Sequence, residues 1–183
     1  VEYHTFAMSD ANALNKPPML YIFSGLPGTG KTTLARALSQ RLGAFYLRID
    51  TIEQALRDLC AVNVQGEGYR LAYRLAADNL NLGFSVVADS CNPVDLTRRE
   101  WQNVARAADA EFLDIEVVCN DTQEHRRRVE CRTSDIEGLA LPTWDAVASR
   151  ECHPWSSPRL VVDTEGCSID DALTRLLERI AEA

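Results

Sequence analysis

The stretch Gly25-Leu-Pro-Gly-Thr-Gly-Lys31-Thr32-Thr33 constrains this chain more than any other. It fits G-x-x-x-x-G-K-[ST]. An apolar run, Met19 to Ser24, precedes it, and Leu34-Ala-Arg-Ala-Leu38 follows. A buried strand, a glycine-rich loop and a helix start in this order form a phosphate-binding arrangement. Gly25, Gly28 and Gly30 let the backbone of the loop, Thr29 included, turn its N–H groups inward around a phosphate. The helix start adds free N–H donors and a positive dipole end. Lys31 would bridge β- and γ-phosphates, and Thr32 would hold Mg²⁺ through its hydroxyl. Thr33 reads either as helix-terminal bonding and packing or as a further phosphate contact. A turn that only reverses the chain would not require Lys directly after the last glycine. The implied ligands are ATP, or a similar nucleoside triphosphate, and Mg²⁺.

The rest of the chain alternates strands and helices. Strands are expected at 19–24, 44–49, 84–88, 111–119 and 160–162. Helices are expected at 31–42, from 50, up to 82, 93–108, 125–132, 143–151 and 168–181. In the first helix Leu34, Leu38 and Leu42 mark the buried face, and Gly43 stops it. The strands are continuously apolar, which means parallel strands buried on both faces of one α/β domain over 17–183. Residues 1–16 read as a tag remnant and disordered N-terminus, with Met8 as a natural start. The net charge of −8 argues against broad binding to nucleic acid or an anionic membrane. No apolar run reaches membrane-span length. Six cysteines without C-x-x-C spacing suit reduced thiols and a cytoplasmic setting. Cys152-His153 lacks a second ligand pair and makes a poor metal site.

Ligands of such sheets bind at the carboxyl ends of strands. Asp50 and Asp89 fall there with the glycine-rich loop. Asp50 can accept a proton from an attacking hydroxyl, but Asp50-Thr-Ile-Glu53 also has capping-box spacing. Val-Val-Ala-Asp89 has the form in which a carboxylate orders Mg²⁺ or its water. Asn92-Pro93 reads as a helix start or as a substrate contact. Arg126, Arg127, Arg128 and Arg132 concentrate positive charge on one helix. Arg128 and Arg132 share a face there, either over a transferring phosphoryl group or in ordinary pairs such as Glu124–Arg128 and Arg126–Glu130. Arg57, Arg70, Arg74, Arg98 and Arg99 flank the crevice as surface residues or anion ligands. Trp101, Trp144 and Trp155 read as packing.

Together the loop, Leu-Arg-Ile-Asp50, Val-Val-Ala-Asp89-Ser-Cys-Asn92 and Arg128-Val-Glu-Cys-Arg132 resemble small P-loop kinases of the AAA_33 type. These are similar to the kinase modules of polynucleotide kinases, chloramphenicol phosphotransferase and the zeta toxins. The resemblance runs from Met19 to the last helix. It implies a P-loop three-layer sandwich with strand order 2-3-1-4-5 and a small helical lid near 121–140. It implies Asp50 as general base, Asp89 as a substrate or Mg²⁺-water ligand, and Arg128 and Arg132 as lid arginines on the ATP phosphates. It places adenine between the lid and Asp163-Thr-Glu-Gly166. Glu53 stands where polynucleotide kinases tend to carry Arg, and would repel a phosphodiester backbone. The Asp-Gly-Asp stretch of adenylylsulfate kinases and the guanine-reading N-K-x-D stretch are absent. The expected activity is therefore transfer of the γ-phosphoryl group of ATP to a small-molecule hydroxyl held near Asp50, Asp89, Asn92 and Arg74. The alternatives are a 5′-hydroxyl polynucleotide kinase and an ATP-binding regulatory module. Acceptor identity and oligomeric state leave no pattern in the sequence.

Overall fold

A computed structural model describes residues 17–182. The expectation for residues 1–16 lies outside them. The strands are β1 (Met19–Ser24), β2 (Phe45–Arg48), β3 (Val86–Asp89), β4 (Glu111–Val118) and β5 (Leu160–Asp163). They form one parallel sheet in the order β2-β3-β1-β4-β5. The helices are α1 (Lys31–Leu42), α2 (Ile49–Cys60), α3 (Glu67–Asn81), α4 (Asp95–Ala107), α5 (Thr122–Cys131), α6 (Trp144–Ala148) and α7 (Ile169–Glu182).

Alternate residues of β1 serve opposite faces, as strand geometry requires. Leu20 and Ile22 join Ala72, Ala76 and Trp101 in the core under α2, α3 and α4. Tyr21 and Phe23 join Leu34, Leu38 and Leu176 under α1 and α7. Each face is thus covered by helices, giving the three-layer P-loop sandwich. Leu42 departs from the expected stripe and is 40% exposed, because it lies in the last turn of α1. Gly43 ends that helix in a left-handed conformation, φ 63°, with its N–H returned to the Ser39 carbonyl.

Several element starts differ from expectation, β3 for example beginning at Val86 rather than 84, and three of them bear on the site, each for a local reason. Helix α2 begins at Ile49, with Arg48 in the cap position, so Asp50 lies inside the first turn and is not the cap. Helix α4 begins at Asp95 rather than Pro93. Asn92 is left-handed, φ 45°, and its amide is drawn to the end of β1. Helix α5 begins at Thr122, earlier than His125, because the Asp121 carboxylate accepts from the N–H groups of Gln123 (2.8 Å) and Glu124 (3.0 Å). At the last helix, Ser168 and Asp171 form the expected cap, with the Asp171 N–H donating to Ser168 Oγ.

Strand register then positions the site. Asp89 stands level with Arg48 on one side and Phe23 on the other. The ends of β2, β3 and β1 therefore open onto one crevice.

Candidate active site

A cavity of about 1070 Å³ occupies this crevice. The glycine-rich loop, the end of β2, α2, α5 and the segment after α5 line it. Gly30, at the cap position of α1, is left-handed with φ 88°. Behind the loop, Gly25 lies against the Val117 carbonyl with no room for a side chain. In front, a Cβ on Gly28 would lie 2.5 Å from Val129 Cγ2 of α5.

Lys31 and Asp89 form the electrostatic centre. Lys31 Nζ lies 2.5 Å from Asp89 Oδ1, and both side chains are buried. The Tyr46 hydroxyl donates to Asp89 Oδ2 at 2.7 Å. Burial disfavours charge on both partners, but their mutual attraction and hydrogen bonding outweigh it. Asp89, which also interacts with Thr32, is held below the usual carboxylate range, and Lys31 is raised. Tyr46 is pushed up, first by burial and then by the Asp89 charge.

Asp50 lies at the mouth of the same cavity with its side chain about half exposed. Arg48 reaches between the acids. Its Nε is 4.0 Å from both Asp50 Oδ2 and Asp89 Oδ2 and has no hydrogen-bond partner among the described residues. Its Nη1 donates to Asp135 Oδ1 at 2.8 Å, and Arg36 of α1 bonds the other oxygen of Asp135. These bonds, Arg48's first, pull the Asp135 pKa down to about 2. Arg132, just past α5, also lines the cavity, and its buried Nε has no partner among the described residues. Burial lowers the Arg132 pKa, with Asp50 opposing.

Helix α5 lies directly on the glycine-rich loop. His125 Nε2 is 2.8 Å from the Pro27 carbonyl oxygen, and its ring meets Trp144 edge-on. Arg128 donates to Thr164 Oγ1 (2.8 Å), the Thr164 carbonyl (2.9 Å) and Glu124 (2.6 Å). Thr164 in turn donates to the Thr29 carbonyl at 2.7 Å. Arg128 thus joins α5 to the loop after β5, beside Gly30. Arg126 is paired at the surface with Glu130.

Gly28, Gly30, Lys31, Thr32, Thr33, Asp50, Arg128 and Arg132 all line the cavity. Thr29 is buried in the loop, its hydroxyl donating to the Leu26 carbonyl. Three expected substrate contacts do not line the cavity, of which Asp89 is buried against Lys31. Asn92 is 1% exposed, and its amide donates to Phe23 O and Ser24 Oγ, both at 3.1 Å, so it ties β3 to β1. Arg74 is exposed on α3 and does not line the cavity. Arg98 is a buried clamp, donating to the carbonyls of Asn92, Pro93, His153 and Pro154 and stacking 4.1 Å from the Trp155 ring centroid. Arg48, Arg36, Tyr46 and Asp135 were not singled out from sequence. Their partners lie 43 to 99 residues away, and no local spacing announces such contacts.

A family model for AAA_33, an AAA domain, matches residues 20–146. The chain belongs to the AAA_33 family. Solved structures of similar fold include the APS kinase CysC of Mycobacterium tuberculosis, determined with AMPPNP and APS. It is 18% identical, with a TM-score of 0.65 over 90% of this chain and 98% of that one. Chaetomium thermophilum Kti12, determined with ADP-AlF3, is 23% identical, with a TM-score of 0.64 over 90% and 98%. A gluconokinase from Sinorhizobium meliloti 1021 is 15% identical, with a TM-score of 0.59 over 91% and 97%. At these identities the likeness is one of fold, that of P-loop kinases. No curated protein sequence matches the chain. Among the described residues no helix is long and apolar enough to cross a membrane.

Proposed function

We propose that the protein is a kinase that uses ATP and Mg²⁺ to phosphorylate a hydroxyl of a small-molecule acceptor. The observation that carries this reading is the Asp50 carboxylate. It is not a helix cap, and it shares one cavity with Lys31, Thr32 and the glycine-rich loop. A loop, cation and carboxylate meeting at strand ends are the parts phosphoryl transfer uses.

The residues present fit the nucleotide and its metal. Gly28 and Gly30 both line the cavity in left-handed conformations, φ 87° and 88°, and α1 begins directly after them, where a helix start offers free N–H donors to a phosphate. The Thr32 hydroxyl and the Asp89 carboxylate offer the hard oxygen ligands or water-ordering groups that Mg²⁺ favours. When bound, MgATP supplies an electrophilic γ-phosphorus whose transfer depends on positioning and charge stabilisation.

The roles of the chain's own residues follow. Lys31 exchanges part of its contact with Asp89 for phosphate oxygens. Asp50 orients the acceptor hydroxyl and takes its proton. Arg128 and Arg132 stabilise charge on the transferring group, and residues near 121–140 act as a lid that excludes water. Residues 17–183 would act as one kinase domain. The −8 net charge favours a small acceptor over nucleic acid. The protein would work in the cytoplasm, where its six thiols stay reduced.

The test is untargeted mass spectrometry of a metabolite extract incubated with ATP, Mg²⁺ and the protein. A species that gains one phosphate only when the protein is present supports the reading. Nucleotide binding with no phosphorylated product, alongside labelling of 5′-hydroxyl oligonucleotides, would replace it with a polynucleotide kinase.

A further inference from the structure

The charge lining the cavity exceeds what a nucleotide requires. Eight cationic side chains and three carboxylates face it, in a protein whose net charge is −8. With Asp89 set against Lys31 and Glu124 against Arg128, and with ATP and Mg²⁺ together carrying a net charge of roughly −2, about one positive charge stays unmatched. Lys31 and Arg128 lie at the glycine-rich loop, whereas Arg36, Arg48 and Arg132 lie on the acceptor side. The two buried arginine Nε atoms without partners, on Arg48 and Arg132, belong to that side. Both residues line one wall of the cavity, where an acceptor of hydrogen bonds brought by a ligand would find donors without partners among the described residues.

The seat between Arg36 and Arg48 already holds an anion, the chain's own Asp135 carboxylate. That carboxylate is half exposed and comes from the segment after α5, so solvent reaches the seat. Two arginines, each donating to a different oxygen of one carboxylate, present convergent cationic donors of the kind that recognise oxyanions.

Resting on the kinase reading, we infer that the acceptor itself carries an oxyanion group, which displaces Asp135 from Arg36 and Arg48. A small molecule bound there places a neighbouring hydroxyl beside Asp50, because Arg48 Nε lies 4.0 Å from that carboxylate. Asp135 is the internal occupant that holds the arginines in place until the acceptor arrives. The acidic exterior favours a small anionic metabolite over an anionic polymer, which would extend past the cavity.

The test fills the nucleotide site first. The protein saturated with a non-hydrolysable ATP analogue and Mg²⁺ is titrated with inorganic sulfate by calorimetry at constant ionic strength. Acetate run in parallel separates a carboxylate seat from one for a tetrahedral dianion. One saturable sulfate or acetate site is expected. Asp135→Asn should tighten binding about tenfold by removing the internal competitor. Arg48→Gln should weaken it at least about tenfold. Asp135→Asn carries the test alone if Arg48→Gln does not fold. Nucleotide binding without saturable anion binding in either the wild type or Asp135→Asn overturns the inference alone. So does anion affinity indifferent to Asp135→Asn, which marks the Asp135 contacts as a structural fastening. Saturable binding of a 5′-hydroxyl oligonucleotide in place of the small anions overturns it in favour of a polymer. Failure of the analogue to bind overturns the kinase reading and the inference with it.

Discussion

Lys31 Nζ and Asp89 Oδ1 meet at 2.5 Å although 58 residues separate them in the chain. The pair brings the first residue of α1 to the last residue of β3, with both side chains out of water. Such a pair is held by coupling rather than by solvation, and removing one member is far worse than removing both.

Lys31→Met is therefore expected to destabilise the nucleotide-free protein by about 3–5 kcal/mol, since Asp89 stays buried without its counter-charge. Adding Asp89→Asn should restore much of the loss. Urea unfolding of the two single variants and the double variant gives the coupling. The Asp89 pKa lies below its ordinary 3.8, so its contribution is complete above that value and is lost as pH falls below it.

Asp114 has the opposite sign. It is 2% exposed within β4, with Gln102 Nε2 donating to its Oδ2 at 2.7 Å. Burial raises its pKa from 3.8 to about 6. The folded state then holds a proton that the unfolded state releases, so stability falls as pH rises from about 4 to about 6. The loss is on the order of 3 kcal/mol and constant above that range. Asp114→Asn keeps the acceptor for Gln102 and should raise Tm at pH 8 with almost no effect at pH 4. An equal shift at both pH values would contradict this account.

Gly28 couples the phosphate loop to α5. Gly28→Ala puts a Cβ 2.5 Å from Val129 Cγ2 at φ +87°. The backbone strain alone costs about 1–2 kcal/mol. The clash should also push α5 off the loop and weaken nucleotide binding. Val129→Ala in the same chain should recover the part due to the clash and leave the part due to backbone strain, as thermal unfolding and nucleotide titration would show.

The centre of the sheet was legible because β1 and β3 are nearly unbroken apolar runs that lead into the glycine-rich loop and Asp89. Strand order followed from the family resemblance, and the sheet has that order. The misread positions are those where two local signals compete. Asn92-Pro93 has a helix-start signature, yet the Asn92 side chain bonds β1 and takes a left-handed backbone, delaying α4 to Asp95. Asp50 and Glu53 have capping-box spacing, yet α2 starts one residue earlier. The network of Arg36, Arg48, Tyr46 and Asp135 had no signal at all, because tertiary folding alone brings those residues together.

The central claim is that Asp50 takes the acceptor proton while Lys31 and the loop hold the nucleotide. Measuring nucleotide affinity and phosphoryl transfer side by side in wild type and Asp50→Asn tests it most directly. The account predicts nucleotide affinity close to wild type and transfer reduced by about 10²- to 10⁴-fold. Transfer at the wild-type rate in Asp50→Asn would contradict it.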